Sequence, residues 1–325
     1  MIVPDFWAEA RRQHRAAGRQ TTVRRFGWSE HSQADAQAMA ERRAEEALQQ
    51  ILAGQPLARR ERRVAYNGAE GVPIREEVLA RQGASVITRN AYGARCLNTP
   101  SALFADIDFT DAPRGRHTPA LIALMTLVSV AVGVMAGGRF GVGLWLLSLV
   151  GASAVVRGLQ RLRVMAGGGH ERLALQRIER FLAAHPAWNL RIYRTPGGLR
   201  LLATHAPFAA TSPEVTAFFD AVGTDPLYAR MCRHQRCFRA RLSAKPWRVG
   251  MGTPLRPRPG VWPVAADRLP PREQWVAAYE HAAAGFAACR FQAALGSGAV
   301  HAEIRDVIDL HDREARATGP ALALA

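Results

Sequence analysis

The sequence has almost no lysine. Lys245 is the only lysine among 43 basic residues, and the others are all arginine. With 27 acidic residues, the formal net charge is +16 and the isoelectric point lies near 11.2. An excess of this sign predicts an anionic partner, either nucleic acid or an anionic lipid surface. Abundant arginine and alanine are also what a GC-rich genome's codon usage produces, so the positive charge alone does not establish an anionic partner.

Cysteine is scarce as well. The four cysteines are irregularly spaced, which excludes both a disulfide framework and a regular zinc-binding pattern.

The first residues, MIVPDFWAEA, carry charges from the fifth position onward and contain no apolar core followed by small residues. We therefore expect no signal peptide.

Charge is absent from two neighbouring segments in the middle of the chain. Residues 118–138 form an uncharged run of 21 residues, which as a helix measures about 31 Å, close to the thickness of a bilayer's hydrocarbon core. After Arg139 a second uncharged run covers residues 140–156. The pattern predicts a transmembrane helical hairpin with its turn at 137–139.

The flanks of the two runs predict an orientation. Arginines precede the first run and follow the second, and the positive-inside rule then leaves both termini in the cytoplasm of a bacterial inner (plasma) membrane. Neither run contains an ionisable side chain, so an anchor is expected rather than a channel. Small residues in both runs favour close helix packing, within the hairpin or between copies in a homo-oligomer.

The remainder predicts an α+β cytosolic domain into which the two-helix transmembrane hairpin is inserted. RIYRT and LRLLATH flank a Pro-Gly-Gly turn and predict a β-hairpin, whereas residues 74–82 and 272–295 are predicted to be helical. The chain is expected to begin with an N-terminal basic helical region (1–66) and a first part of the α+β domain (67–113). The membrane hairpin (114–165), a second part of the α+β domain (170–265) and C-terminal helices (266–325) are expected to follow.

Two aspartates interrupt the apolar segment ALFADIDF. On a strand, Asp106 and Asp108 share one face with Phe104, while the alternate residues form an apolar face. Two carboxylates so placed suit a divalent cation such as Mg²⁺ or Mn²⁺, completed by a phosphate-bearing substrate. The alternative is an ordinary strand end that runs into a polar turn.

A basic cluster and one histidine point to phosphate. Residues 233–248 contain six basic side chains, among them Arg239, Arg241 and Lys245, and such a cluster is suited to hold phosphate groups. His205, at the end of the predicted hairpin, is the candidate third member of the site and would contact the metal or a phosphate. A surface histidine at a strand end is the alternative interpretation.

The order of FADIDF and TPGGLRLLATH resembles the catalytic core of archaeo-eukaryotic primases and primase-polymerases, and much of the chain outside the hairpin resembles an uncharacterised family of bacterial transmembrane proteins. The primase resemblance implies that Asp106 and Asp108 bind metal and that His205 contacts a nucleotide. The family places its histidine soon after the paired glycines, where this chain has Arg200.

Three functions follow from these features. The first is an integral inner-membrane protein whose cytosolic domain binds nucleotide or nucleic acid through a divalent metal and transfers a nucleotidyl group. The second is a non-enzymatic, membrane-tethered module that binds anionic lipid or a partner protein. The third is a glycosyltransferase that uses the two aspartates to bind the metal of a nucleotide sugar.

Overall fold

The computed structural model describes residues 3–16, 18–61, 73–110, 117–258, 262–319 and 321–325, and it is a mixed α+β structure. Its strands are β1 (Phe6–Ala16), β2 (Arg19–Ser29), β3 (Glu77–Gln82), β4 (Ser85–Arg89), β5 (Arg95–Thr99), β6 (Phe104–Asp108), β7 (Asn189–Thr195), β8 (Gly198–Ala203), β9 (Phe238–Arg241), β10 (Phe286–Ala287), β11 (Arg290–Gly296) and β12 (Ala323–Leu324). Its α-helices are α1 (Gln33–Leu52), α2 (His117–Ala136), α3 (Gly138–Ala166), α4 (His170–Ala184), α5 (Pro213–Val222), α6 (Pro226–Gln235), α7 (Leu269–Ala283) and α8 (Ala302–Ala315).

Two antiparallel four-stranded sheets form the centre of the fold. The first has the order β11-β7-β8-β6, and the second has the order β3-β4-β5-β9. Strands β7 and β8 are the hairpin that the sequence predicts, and β6 pairs with β8. In the chain, β6 precedes helices α2 and α3, whereas β7 and β8 follow them. The two flanks of the predicted insertion therefore meet in one sheet.

The largest apolar core draws on both sheets. It contains buried side chains of β6, β7 and β8 from the first sheet, Leu97 and Phe238 from the second, and Ile178 and Phe218 from helices α4 and α5. Helices α5 and α6 begin at side-chain caps, since Ser212 accepts a hydrogen bond from the backbone of α5 and Asp225 from that of α6. The two caps fix where these helices begin relative to the sheets.

Helices α2 and α3 form a hairpin, but the prediction that it is transmembrane is wrong. Among the residues that the structure describes, no helix combines the length and the apolar character needed to cross a bilayer. The same finding removes the inner-membrane location and the integral membrane protein from the predicted function. For residues 117–122, 124, 147–157 and 160 only the helical backbone is described, so their side chains lie outside this comparison.

Two helix predictions are also corrected. Residues 77–82, expected within a helix, form strand β3, because they pair with β4 at the edge of the second sheet. The helix expected over residues 272–295 ends at Ala283, and the chain then enters β10 and β11. Strand β11 pairs with β7, so a contact with a distant segment overrides the local helical preference of its alanines.

Candidate functional site

A cavity of about 360 Å³ lies where the two sheets meet. Strand β6 contributes Asp106 and Asp108, β9 contributes Arg239 and Arg241, and the start of α6 forms another wall. Further charged or polar lining groups come from the segments around these strands, namely Glu76, Asn90, Tyr92, Thr195, Arg200, Asp225, Tyr228, Lys245 and Arg248. Two carboxylates and three cations predicted from the sequence therefore line one cavity.

Arg200 joins the two sheets at the bottom of this cavity. Its side chain is only 2 % exposed, and its Nε and Nη2 donate to the two carboxylate oxygens of Asp106 at 2.8 and 3.1 Å. Its Nη1 donates to the backbone oxygen of Arg241 on the other sheet at 2.8 Å. Burial opposes the charge of Arg200, but the adjacent carboxylate of Asp106 raises its pKa above the ordinary value. One guanidinium thus fixes Asp106 and the backbone of Arg241.

Tyr228 makes a second connection between the sheets. Its hydroxyl oxygen lies 3.2 Å from the backbone oxygen of Phe104 and 2.8 Å from that of Arg239. Complete burial raises the pKa of this hydroxyl well above its usual value, so it keeps its proton for hydrogen bonding. The backbone N–H of Asp225 donates to the backbone oxygen of Asp106 at 2.8 Å, which holds the beginning of α6 against β6.

Arg239 belongs to the frame of the cavity. Its Nη2 donates to Glu76 Oε2 at 2.6 Å, and both side chains are almost fully buried. The same carboxylate oxygen accepts a hydrogen bond from Thr88 on β4 at 2.7 Å. A buried, hydrogen-bonded ion pair of this kind is costly to break, because breaking it leaves an uncompensated charge in the interior.

Three further cations, Arg241, Lys245 and Arg248, line the cavity close enough to one another for their charges to interact. Burial lowers the pKa of Lys245, and the positive charges of Arg241 and Arg248 lower it further. Burial also lowers the pKa of Arg248, with a further contribution from Arg241. Lys245 makes no ion pair with any described residue, and Arg248 Nη1 is buried without a hydrogen-bond partner among them. The carboxylates of Asp108 and Asp106 act in the opposite direction on Lys245, as Asp108 does on Arg248. Because Arg200 already holds Asp106, the positive charge of these cations exceeds the negative charge near them, which suits an anionic ligand.

Aromatic and apolar side chains border the cations. Tyr92 lies at the cavity, and its ring packs against that of Trp247 with centroids 5.3 Å apart. The ammonium of Lys245 lies 5.4 Å from the centroid of Trp247, whose side chain is more than half exposed. Leu227 and Met231 of α6 line the same cavity. The site therefore combines a cationic region with an apolar border.

The two aspartates differ in what they can offer a metal ion. Both oxygens of Asp106 receive hydrogen bonds from Arg200, whereas Asp108 is exposed at the end of its strand. No group of three or more His, Cys, Asp or Glu side chains with metal-binding geometry occurs in the described part of the chain. These residues do not make a fitting site for a resident Mg²⁺ or Mn²⁺, which stays a prediction from the sequence, and we derive no chemical step through such an ion.

His205 is placed away from this cavity. Its ring packs against Trp188 and Phe208, with centroids 4.6 and 5.3 Å away, and its Nδ1 accepts a hydrogen bond from the backbone of Asn189. Burial lowers the pKa of its imidazole. It is not among the described residues that line the cavity, where Arg200 occupies the hairpin position next to the aspartates.

Arg200 is the site residue that the sequence reasoning assigned no role. The signal was present, because an arginine inside the apolar run GLRLLA needs a buried partner, and the register places it directly opposite Asp106. Glu76 and Tyr92 gave no comparable signal, since each lies in a segment whose neighbours in space come from far along the chain.

Comparison of the chain with protein-family models, with curated proteins and with solved structures found no match.

Proposed function

We propose that this protein binds an organic phosphate in the cavity between its two sheets, a nucleotide being the class of ligand that fits. The observation that supports this most directly is the group of three cations that line the cavity, Arg241, Lys245 and Arg248, of which Lys245 and Arg248 are partly desolvated. A di- or triphosphate carries several negative charges and many acceptor oxygens, so it would neutralise all three at once. The aromatic pair Tyr92–Trp247 would offer its rings to the organic part of the ligand.

Binding in this proposal does not depend on a divalent metal. The carboxylate of Asp106 is already held by Arg200, and the remaining cavity cations supply the positive charge that a metal would otherwise bring. The proposal is therefore a binding function and includes no nucleotidyl transfer. The membrane-tethered alternative loses its basis together with the transmembrane hairpin.

Isothermal titration of the full chain with pyrophosphate and ADP, in buffer containing EDTA, tests the proposal. We expect both ligands to bind, and we expect the double variant Lys245→Gln/Arg248→Gln to lose this binding, because it removes two of the three cations. Arg180→Gln/Arg233→Gln is the matched control, since it also removes two positive charges and both arginines are exposed and outside the cavity. It should bind like the wild-type protein.

Three outcomes contradict the proposal. The first is an absence of heat for either ligand in EDTA. The second is equal loss of binding in the double variant and the control, which would indicate a response to net charge alone. The third is binding that appears only when Mn²⁺ is added and vanishes in an Asp108→Asn variant, which would restore the metal prediction instead.

A further inference from the structure

The N-terminal strands form a ribbon that is longer than the helix surface supporting it. Strands β1 and β2 pair over 11 positions, from Phe6↔Ser29 to Ala16↔Arg19, and each strand extends about 36 Å. Helix α1 packs against the base of this ribbon through the small side chains Ala8, Ala10, Ala36, Ala40 and Ala44. Gly27 allows the close approach, because a Cβ there would lie 2.1 Å from the backbone oxygen of Ala36.

The support ends part of the way along the ribbon. Val23 packs with Ala47 and Leu48 near the end of α1, and Arg12, its partner across the ribbon, forms ion pairs with Glu41 and Glu45. Past this pair, residues 13–16 and 18–20 are exposed, and residues 21–22 are half-buried. We call residues 13–16 and 19–22 the ribbon tip.

The tip carries positive charge and no compensating acid. No aspartate or glutamate occurs between Ala10 and Ser29. Arg11 and Arg24, nearer the base, lie within 4 Å of Glu9. In the tip, by contrast, Arg15 donates to the neutral side chain of Gln20, and neither Arg15 nor Arg19 makes an ion pair with a residue that the structure describes.

The register of the strands places these groups on both faces of the tip. Residues paired directly across an antiparallel ribbon point to the same face. Arg15 and Gln20 are such a pair, and they share their face with the pair Gln13 and Thr22. Arg19 lies on the opposite face. Each face therefore offers a cation to an anionic partner, and amide and hydroxyl groups accompany Arg15.

From this arrangement we infer that the ribbon tip docks on duplex nucleic acid, a surface separate from the cavity of the proposed function. A two-stranded ribbon fits the major groove, which is about 12 Å wide, and arginines on its two faces would reach the phosphates on either side. A protein partner fits less well, because the tip contains no apolar side chain larger than alanine, whereas protein interfaces centre on buried aromatic or aliphatic groups.

Fluorescence anisotropy with a labelled 20-base-pair DNA duplex, at a series of salt concentrations, tests the inference on the full chain. We expect Arg15→Gln/Arg19→Gln to weaken binding at least tenfold, at roughly 0.1 M salt, and to reduce the slope of log K against log salt by about 2. The control Arg42→Gln/Arg180→Gln removes the same charge from exposed helix positions and should leave both quantities near their wild-type values. Circular dichroism verifies that each variant is folded.

The cavity variant Lys245→Gln/Arg248→Gln separates this inference from the proposed function, since it should bind the duplex normally while failing to bind pyrophosphate. Absence of duplex binding at low salt overturns the inference. So does equal weakening in the tip variant and the helix control, which would reduce the effect to net charge. Binding of polyglutamate as tightly as the duplex would replace nucleic acid by an acidic protein segment as the partner.

Discussion

At the scale of single residues, the decisive feature is the pairing of Arg200 with Asp106. From the sequence, Asp106 is predicted to bind a metal, and no role is assigned to Arg200. The register of β6 and β8 places the two residues opposite each other. A guanidinium with a fixed, forked geometry satisfies both carboxylate oxygens and still reaches the backbone of Arg241. The pair therefore anchors the cavity and leaves the other cations to meet a ligand.

Arg200→Lys should destabilise the protein. The ammonium of lysine is a single point charge and cannot reproduce the two hydrogen bonds to Asp106 together with the bond to Arg241. We therefore expect the free energy of unfolding to fall by about 1.5–3 kcal/mol. Urea denaturation measures the change. Arg180→Lys, at an exposed helix position, should stay within about 0.5 kcal/mol of the wild type. Equal stability of the two variants would show that lysine can replace this guanidinium.

Lys245 predicts a pH dependence of anion binding. Burial and the charges of Arg241 and Arg248 lower the pKa of its ammonium below the ordinary lysine value. The charged form is present below that lowered pKa, so pyrophosphate binding should be full at neutral pH and weaken as the pH rises through the pKa of Lys245. Lys245→Arg remains charged at alkaline pH, and calorimetry at increasing pH should show a smaller loss. Identical profiles for the two proteins would remove Lys245 from the site, since the ionisation of the ligand is common to both.

At the scale of elements, helices α2 and α3 illustrate how a local pattern is read correctly and assigned wrongly. The turn at Gly137 and the helical hairpin follow from the sequence, but the transmembrane role does not hold among the described residues. Gly133, one of the small residues expected to favour close packing, lies against Gly141 within the hairpin, whereas Gly143 has no such contact among the described residues. A Cβ on Gly141 would lie 2.6 Å from the Cα of Gly133 and 2.7 Å from the backbone oxygen of Ser129.

Gly141→Val should therefore separate the two helices, whereas Gly143→Val should not, because a Cβ at Gly143 meets no atom within 4 Å. Both variants place the same residue in α3, so their helix propensities match. Overpacking of this kind costs about 1–3 kcal/mol. Hydrogen exchange of the α2 amides, followed by mass spectrometry, should be accelerated by Gly141→Val alone. The same acceleration by Gly143→Val would mean that the helices do not pack through Gly141.

At the scale of the whole molecule, one buried histidine connects folding to pH. His311 is fully buried on α8, and its Nδ1 lies 3.0 Å from Asp312 Oδ1. Burial lowers the pKa of His311, although Asp312 acts in the opposite direction. Below about pH 6.5 the unfolded chain therefore binds a proton at this histidine that the folded chain binds only at lower pH.

We expect this difference to reduce stability on acidification. The contribution of His311 is complete above about pH 6.5 and is lost as the pH falls towards its lowered folded pKa. Urea midpoints at pH 7.5 and 5.5 measure the loss, and His311→Gln should show a smaller difference between the two pH values. His14→Gln, a substitution in the exposed ribbon tip, should retain the wild-type difference. An unchanged pH response in His311→Gln would assign it to other groups.

The sequence by itself determined the local elements whose signals lie within a few residues. The β7–β8 hairpin forms at the predicted Pro-Gly-Gly turn. Helix α4 and the capped beginnings of α5 at Ser212 and of α6 at Asp225 depend on signals of the same short range. The sequence also singled out Asp106, Asp108, Arg239, Arg241 and Lys245 as candidate site residues, and in the structure these side chains line one cavity. These signals are readable because capping, turn formation and alternation are short-range effects.

Only the tertiary structure decided which charges oppose which. In the structure Asp106 pairs with Arg200, and His205 lies away from the aspartates. Two segments predicted to be helical form strands β3 and β11, which pair with β4 and β7. Each of these results depends on segments far apart in the chain. The energy of an ion pair or of a strand pairing depends on the distance and burial of its partner, and neither quantity is encoded in the residues beside it.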